Sequence, residues 1–166
     1  ASETILFSDQ LSTNLPPPTG VTFRALSEPD RATVFEHKME PVGNWGLELD
    51  GEIVASGGLL FHYNPPYGDI FMEVAEPFRR RGFASYLIQE VKRECYSAGH
   101  LPGARCFHAN VGSRGALQRA GLVATSGTIT AAGPSESAQR YPIVARAASA
   151  STATAQRMSG GRMSGK

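Results

Sequence analysis

The sequence predicts one α/β domain: a mixed, mostly antiparallel sheet with helices on both faces and one parallel strand pair. Three observations carry this. Alternating apolar and polar stretches recur at 21–26, 45–63, 70–75 and 103–109, the two-residue period of strands. From Gly82 the period changes, and Phe83, Leu87, Val91 and Cys95 recur every four residues, with Ile88 widening the stripe. A strand, this helix and another strand across 70–109 make the two flanking strands parallel. A chain of 166 residues, 41% hydrophobic and 19% charged, suits one domain with a real core.

The elements follow in order. "ETILFSDQL" (3–11) reads as a short strand or a packed arm, and "LPPPTG" (15–20) ends it because three prolines give no N–H to a ladder. "VTFRAL" (21–26) is a strand, and "SEPDRATVFEHKM" (27–39) a helix with Ser27 or Asp30 as N-cap. "WGLELDGEIVASGGLLFHY" (45–63) is a hairpin turning at Asp50-Gly51, followed by a second turn at "NPPYGD" (64–69). "IFMEVA" (70–75) is the next strand, and the helix from Gly82 stops at Gly99. "GARCFHA" (103–109) is a strand and "GSRGALQRA" (112–120) a helix stopped by Gly121. "LVATSGTITA" (122–131) and "RYPIVARA" (140–147) suit a closing hairpin. The expected division is an N-terminal arm at 1–20, the main domain at 21–147 and a low-complexity tail at 148–166, rich in Ala, Ser and Gly.

A net charge of +1 points to no nucleic-acid, membrane or acidic partner. Cys95 and Cys106, the only cysteines, make neither a disulfide framework nor a zinc-site spacing, so a reducing cytoplasm is the expected home and no metal is expected. "ASETILFSDQ" has no basic-plus-apolar leader, and no apolar run approaches the ~18 residues of a membrane helix.

"FRRRGFASYL" (78–87) needs a closer reading. Three arginines are ordinarily a solvated surface. "RGFASYLI" also resembles the aromatic strand motif of RNA-recognition domains, but that motif needs strand periodicity, and here the later aromatic slots hold Ser85 and Ile88 in a helical pattern. The third reading joins the loop to its surroundings. A strand ends at Ala75 and a helix opens near Gly82, where free N–H groups and the positive dipole end favour a pyrophosphate. Gly82 lets the backbone approach, Ala84 keeps the surface low, and the arginines add charge. Charge-assisted hydrogen bonds of about 1.5–3 kcal/mol each would hold a nucleotide cofactor at micromolar strength.

Two blocks resemble the GNAT acyltransferases, which use acetyl-CoA. "MEVAEPFRRRGFASYLIQEVKR" (72–93) is similar to the family's strand, pyrophosphate loop and helix, with Arg79-x-x-Gly82-x-Ala84 on its signature. "NVGSRGALQRAGL" (110–122) is similar to its Asn-x-x-Ser/Ala…Gly-Phe block, with Asn110, Ser113 and Gly121 in register. The resemblance covers about 21–147 and implies a sheet whose parallel pair splays open for acetyl-CoA. Val74 and Ala75 would hold the pantetheine arm by their backbone, and the amides near Arg80, Arg81, Gly82, Phe83, Ala84 and Ser85 the pyrophosphate. Asn110 and Ser113 would touch the arm near the thioester, and a backbone N–H near Val74 would serve as oxyanion donor. Family members often carry a Tyr seven residues after the Asn to protonate the leaving thiolate; Leu117 stands there. The segment 27–44 holds one helix where the family usually has two, which leaves the acceptor site undefined.

Acetyl transfer to an amine needs a base, because an amine of pKa near 10 is rarely neutral at pH 7. Glu73 and Asp69 are the candidate catalytic carboxylates, on one face of the 70–75 strand with Phe71. Each has a plainer reading, Glu73 as a strand acid paired to an arginine and Asp69 as a turn cap. His62 and His108 border the same region but suit hydrogen-bonded strand positions as well. Several family members place their base at positions matching Gly68 or Arg105, and neither residue is one. Trp45, Tyr63 and Tyr67 are candidate acceptor walls. The function expected is N-acetyl transfer from acetyl-CoA to a small-molecule or peptide amine, with a homodimer allowed. A non-catalytic acyl-CoA-binding regulatory module is the alternative, and a nucleic-acid-binding domain a weaker rival.

Overall fold

The structure, a computed structural model, describes residues 2–34, 42–62 and 65–130. Residues 140–147 and the 148–166 tail, to which a closing strand and a low-complexity segment were assigned, lie outside the described residues, as does Tyr63.

The described strands are β1 (Ser2–Asp9), β2 (Val21–Ala25), β3 (Trp45–Leu49), β4 (Glu52–Leu60), β5 (Tyr67–Val74), β6 (Leu101–Phe107) and β7 (Leu122–Thr130). They form one sheet in the order β2-β3-β4-β5-β6-β1-β7. Every neighbouring pair is antiparallel except β5 with β6. The helices are α1 (Glu28–Thr33), α2 (Phe83–Ser97) and α3 (Val111–Arg119). No described helix is long and apolar enough to cross a membrane.

Local chemistry explains most element ends. The β3–β4 turn needs two residues at positive φ, and Asp50 (52°) and Gly51 (82°) supply them. Ser27 caps α1 in a reciprocal capping box with Asp30, and Arg24 braces the same carboxylate at 2.7 Å. That helix ends at Thr33, since Val34 has extended backbone, and residues 35–39 of the expected helix lie outside the described residues. Strands β5 and β6 begin about two to three residues earlier than the alternation suggested.

The 3–11 segment takes the strand reading, and its place is unexpected. β1 lies between β6 and β7, antiparallel to both, so β7 pairs with the N-terminal strand. Buried polar groups of α2 hold the segment that follows. Lys92 Nζ pairs with Asp9 at 2.5 Å and donates to the carbonyls of Leu11 (3.0 Å) and Ala120 (2.7 Å). Gln89 brackets Leu15, accepting from its N–H at 2.6 Å and donating to its carbonyl at 3.1 Å.

Helix α2 buries Phe83, Leu87, Ile88, Val91 and Cys95 against the sheet. Burying such side chains stabilises by about 1.5–3 kcal/mol each. Two glycines set how closely it seats: a Cβ on Gly57 would lie 3.2 Å from Leu87, and one on Gly68 only 2.6 Å from the Cys95 sulfur. This close seat fixes the α2 N-terminus at the carboxyl end of β5.

A candidate acyl-coenzyme A cleft

The ladder between β5 and β6 runs from Tyr67↔Leu101 to Ile70↔Ala104 and stops. Strand β5 continues to Val74 and β6 to Phe107, so the two part beyond that point. Backbone parity decides what faces the gap. The Ala75 N–H donates to the Val54 carbonyl at 2.9 Å, so odd-numbered residues of β5 bond to β4. Met72 and Val74 therefore turn their N–H and C=O groups toward the gap. Ala75, expected to hold a pantetheine arm, does not: its N–H is held by Val54 and its carbonyl accepts from the Phe78 N–H, which leaves Met72 and Val74 as the backbone facing the gap.

A cleft of about 660 Å³ opens there. One wall is the end of β5 with Met72, Glu73 and Val74; the floor is Gly82 to Ser85; the far wall is the start of α3 with Asn110 and Ser113. Arg79 and Arg80 line it as well. Arg81 does not: its guanidinium lies over the Phe78 ring at 5.4 Å, outside the lining.

After β5 comes a single 3₁₀ turn, Glu76–Phe78, and then backbone of alternating handedness: Arg79 at φ −67°, Arg80 at 62°, Gly82 at 81°. Alternation of this kind makes anion-binding concavities. Helix α2 has no side-chain cap. Its first helical carbonyl, Gly82, serves Tyr86, which leaves the Phe83, Ala84 and Ser85 N–H groups without partners in the helix. A Cβ on Gly82 would meet nothing within 4 Å, so the floor is open. By contrast α3 is capped, because the Asn110 side-chain oxygen Oδ1 accepts from the Ser113 N–H at 3.0 Å. That contact leaves the Asn110 amide as its group for the cleft.

The two candidate carboxylates differ. Glu73 lines the cleft, and its Oε2 is buried with no hydrogen-bond partner. A buried carboxylate oxygen left unmatched costs about 1–3 kcal/mol or more, which the fold alone does not justify. Asp69 lies outside the cleft lining and pairs with Arg105 at 2.6 Å across the last rungs of the parallel ladder. Burial pushes its carboxyl up, against the opposing pull of Arg105 and His62. The pair clips β5 to β6 just before they part. His62 and His108 are exposed and outside the lining, and His108 stands 3.6 Å from Glu3.

Leu117, at the position of the family's tyrosine, is 4% exposed and belongs to the core, while its neighbour Ala116 lines the cleft. The same wall carries a residue that the sequence did not single out. Arg119 lines the cleft, and its Nη1 lies 3.5 Å from the Ser85 hydroxyl. Its signal was a basic residue at the end of a helix that opens on the Asn110 block. Among the described residues no cluster of three or more His, Cys, Asp or Glu could hold a metal.

The model of the acetyltransferase (GNAT) family matches residues 11–122. No curated protein matches the chain in sequence. Among solved structures, a GNAT-family acetyltransferase from Colwellia psychrerythraea is similar at TM-score 0.62 and 15% identity, over 76% of this chain and 54% of that one. A GCN5-related N-acetyltransferase from Sphaerobacter thermophilus is similar at TM-score 0.59 and 18% identity, over 76% and 49%. The chain thus spans about half the length of these structures, and at such identities the likeness concerns the fold.

Proposed function

The chain belongs to the GNAT acetyltransferase family, and we propose that it transfers an acetyl group from acetyl-CoA to an amine. The observation that carries this is the coincidence of three features in one cleft. The β5–β6 ladder ends early, an uncapped helix start faces the gap, and a carboxylate oxygen beside it has no partner. The residues fit the cosubstrate. The open floor at Gly82 and the free N–H groups of Phe83, Ala84 and Ser85 suit a pyrophosphate, with Arg79, Arg80 and Arg119 adding charge. The N–H and C=O groups of Met72 suit an amide-bearing arm laid beside β5 as an extra strand. Asn110 and Ser113 stand on the opposite wall.

Bound acetyl-CoA supplies the activated acyl thioester. The chain contributes position, a base and a hydrogen-bond donor. Glu73 takes the proton of the incoming ammonium, directly or through water, and its negative charge favours a cationic acceptor. The Val74 N–H meets the charge that develops on the acyl oxygen. Leu117 stands where a tyrosine would protonate the sulfur, but a thiol of pKa near 8.5 leaves readily enough for water to complete the step. A cytoplasmic setting suits the two free cysteines, Cys95 buried and Cys106 half-buried.

A screen of thiol release from acetyl-CoA against amines, amino acids and peptides tests this reading. Turnover with at least one class, lost in Glu73→Gln, is expected. Tight binding of acetyl-CoA with no turnover across the panel would leave the non-catalytic acyl-CoA-binding module, which Leu117 in the core already favours over a tyrosine-assisted enzyme.

A further inference from the structure

We propose that Arg79 is a displaceable latch on the cleft. In the free protein its guanidinium occupies the Val74 carbonyl; when a ligand enters, the carbonyl passes to an N–H of the ligand's arm and the guanidinium turns to its phosphates. This rests on the acyl-coenzyme A reading of the cleft.

The argument starts from the end of β5. Val74 is 7% exposed, and parity turns its carbonyl into the gap, where β6 no longer supplies a donor. A carbonyl so placed needs a partner. Arg79 provides one: its side chain folds back five residues, and Nε donates to the Val74 oxygen at 3.0 Å. Its backbone stays fixed meanwhile, with the Arg79 N–H on the Glu76 carbonyl at 3.3 Å. The side chain thus spans from the fixed loop backbone back to the end of β5, and a single hydrogen bond holds its guanidinium there. Arg79 also lines the anion floor and is itself exposed, so its guanidinium can reach either the strand end or a phosphate. One planar group cannot serve both fully, since the Nε–H that binds Val74 belongs to the same rigid fork that grips a phosphate in pairs of bonds.

A ligand's two halves then meet the latch differently. An arm with amide N–H groups competes with Arg79 for the Val74 carbonyl. A phosphate competes with the carbonyl for Arg79. Only a ligand carrying both parts leaves neither group unmatched, so the latch discriminates for the complete molecule over either fragment.

Calorimetric or NMR titration with three probes separates the latch from a simple brace. The probes are acetyl-CoA, pantetheine (the arm alone) and ADP (phosphates alone), tested on the parent, Arg79→Ala and Arg79→Lys. The latch predicts opposite signs in Arg79→Ala: pantetheine binds about two- to tenfold more tightly, because no bond must be displaced, and ADP about tenfold or more weakly. Arg79→Lys keeps a charge without the Nε fork. It should gain on pantetheine as Ala does and lose less on ADP. If both fragments weaken together, or pantetheine affinity is unchanged, Arg79 is a fixed brace and the latch is wrong. If the parent binds acetyl-CoA but neither fragment responds to Arg79, the latch alone fails. If folded parent protein binds no acetyl-CoA, the site reading falls and the latch with it. Arg79→Lys also answers the question should the alanine variant fail to fold.

Discussion

Gly82→Ala and Gly82→Glu make a matched pair that isolates the anion seat. Gly82 has φ 81°, and a Cβ there meets nothing within 4 Å. Both substitutions therefore carry the same backbone strain, about 1–2 kcal/mol, and neither clashes. Without ligand both should melt lower than the parent, with the glutamate form recovering about 0.3–1 kcal/mol from the helix dipole. With ligand they separate. A carboxylate about 5 Å from each of two pyrophosphate charges costs roughly 1–3 kcal/mol per charge, for effective dielectrics between that of water and ~20. The lower bound, about 2 kcal/mol, is ~30-fold in Kd. At acetyl-CoA about a thousandfold above the alanine form's Kd, ligand stabilisation is near 4 kcal/mol, and the glutamate form should lose about half of it or more. Differential scanning calorimetry with and without acetyl-CoA reads both numbers. Equal ligand-induced shifts in the two variants would refute the placement of phosphate at this helix start.

Four further outcomes are expected. Lys92→Met should cost about 3–5 kcal/mol in urea unfolding, because it leaves the Asp9 carboxylate, 7% exposed, without its cation and held only by the Tyr96 hydroxyl at 2.6 Å; pairing it with Asp9→Asn should recover much of that. Leu117→Tyr should lower stability by about 1–3 kcal/mol through overpacking and bring no gain in kcat, since residue 117 faces the core. Glu73→Gln should lower kcat by ~10²–10⁴ with acetyl-CoA affinity nearly unchanged, measured by steady-state kinetics beside calorimetry. Burial pushes the Cys95 thiol from 9.0 up to about 11, so the fold holds the protonated form more strongly than the unfolded chain does. Its contribution is therefore complete below pH 9 and lost as pH rises from 9 to 11, and Cys95→Ala should show a shallower alkaline decline in Tm.

What could be read in the sequence was what short-range chemistry writes there. Asp50-Gly51 is a hairpin turn whatever surrounds it, and Gly82, Gly99 and Gly121 mark helix ends because each takes a positive φ. The four-residue recurrence of Phe83, Leu87, Val91 and Cys95 is the buried stripe of α2 itself. Long-range pairing was not legible. Nothing in "ETILFSDQL" says that it lies between β6 and β7, because that depends on the register of two strands a hundred residues away. Lys92 reads as a surface charge on an amphipathic helix; only the carbonyls of Leu11 and Ala120 around it make it a buried clamp. That Asp69 meets Arg105 depends likewise on how β5 and β6 pair, which no local pattern announces. The burial of Leu117 was open to periodicity, since Ala116, Leu117 and Ala120 recur at helical spacing and all three are buried.

The most direct test of the central claim is an amide NMR titration of the folded protein with acetyl-CoA. The account predicts saturable shifts that concentrate on the N–H groups of Met72 and Val74, of Arg80 through Ser85, and of the first turn of α3, with the Ala75 amide, held by Val54, moving little. Saturable binding whose shifts fall outside these segments, or no binding by folded protein, would contradict it.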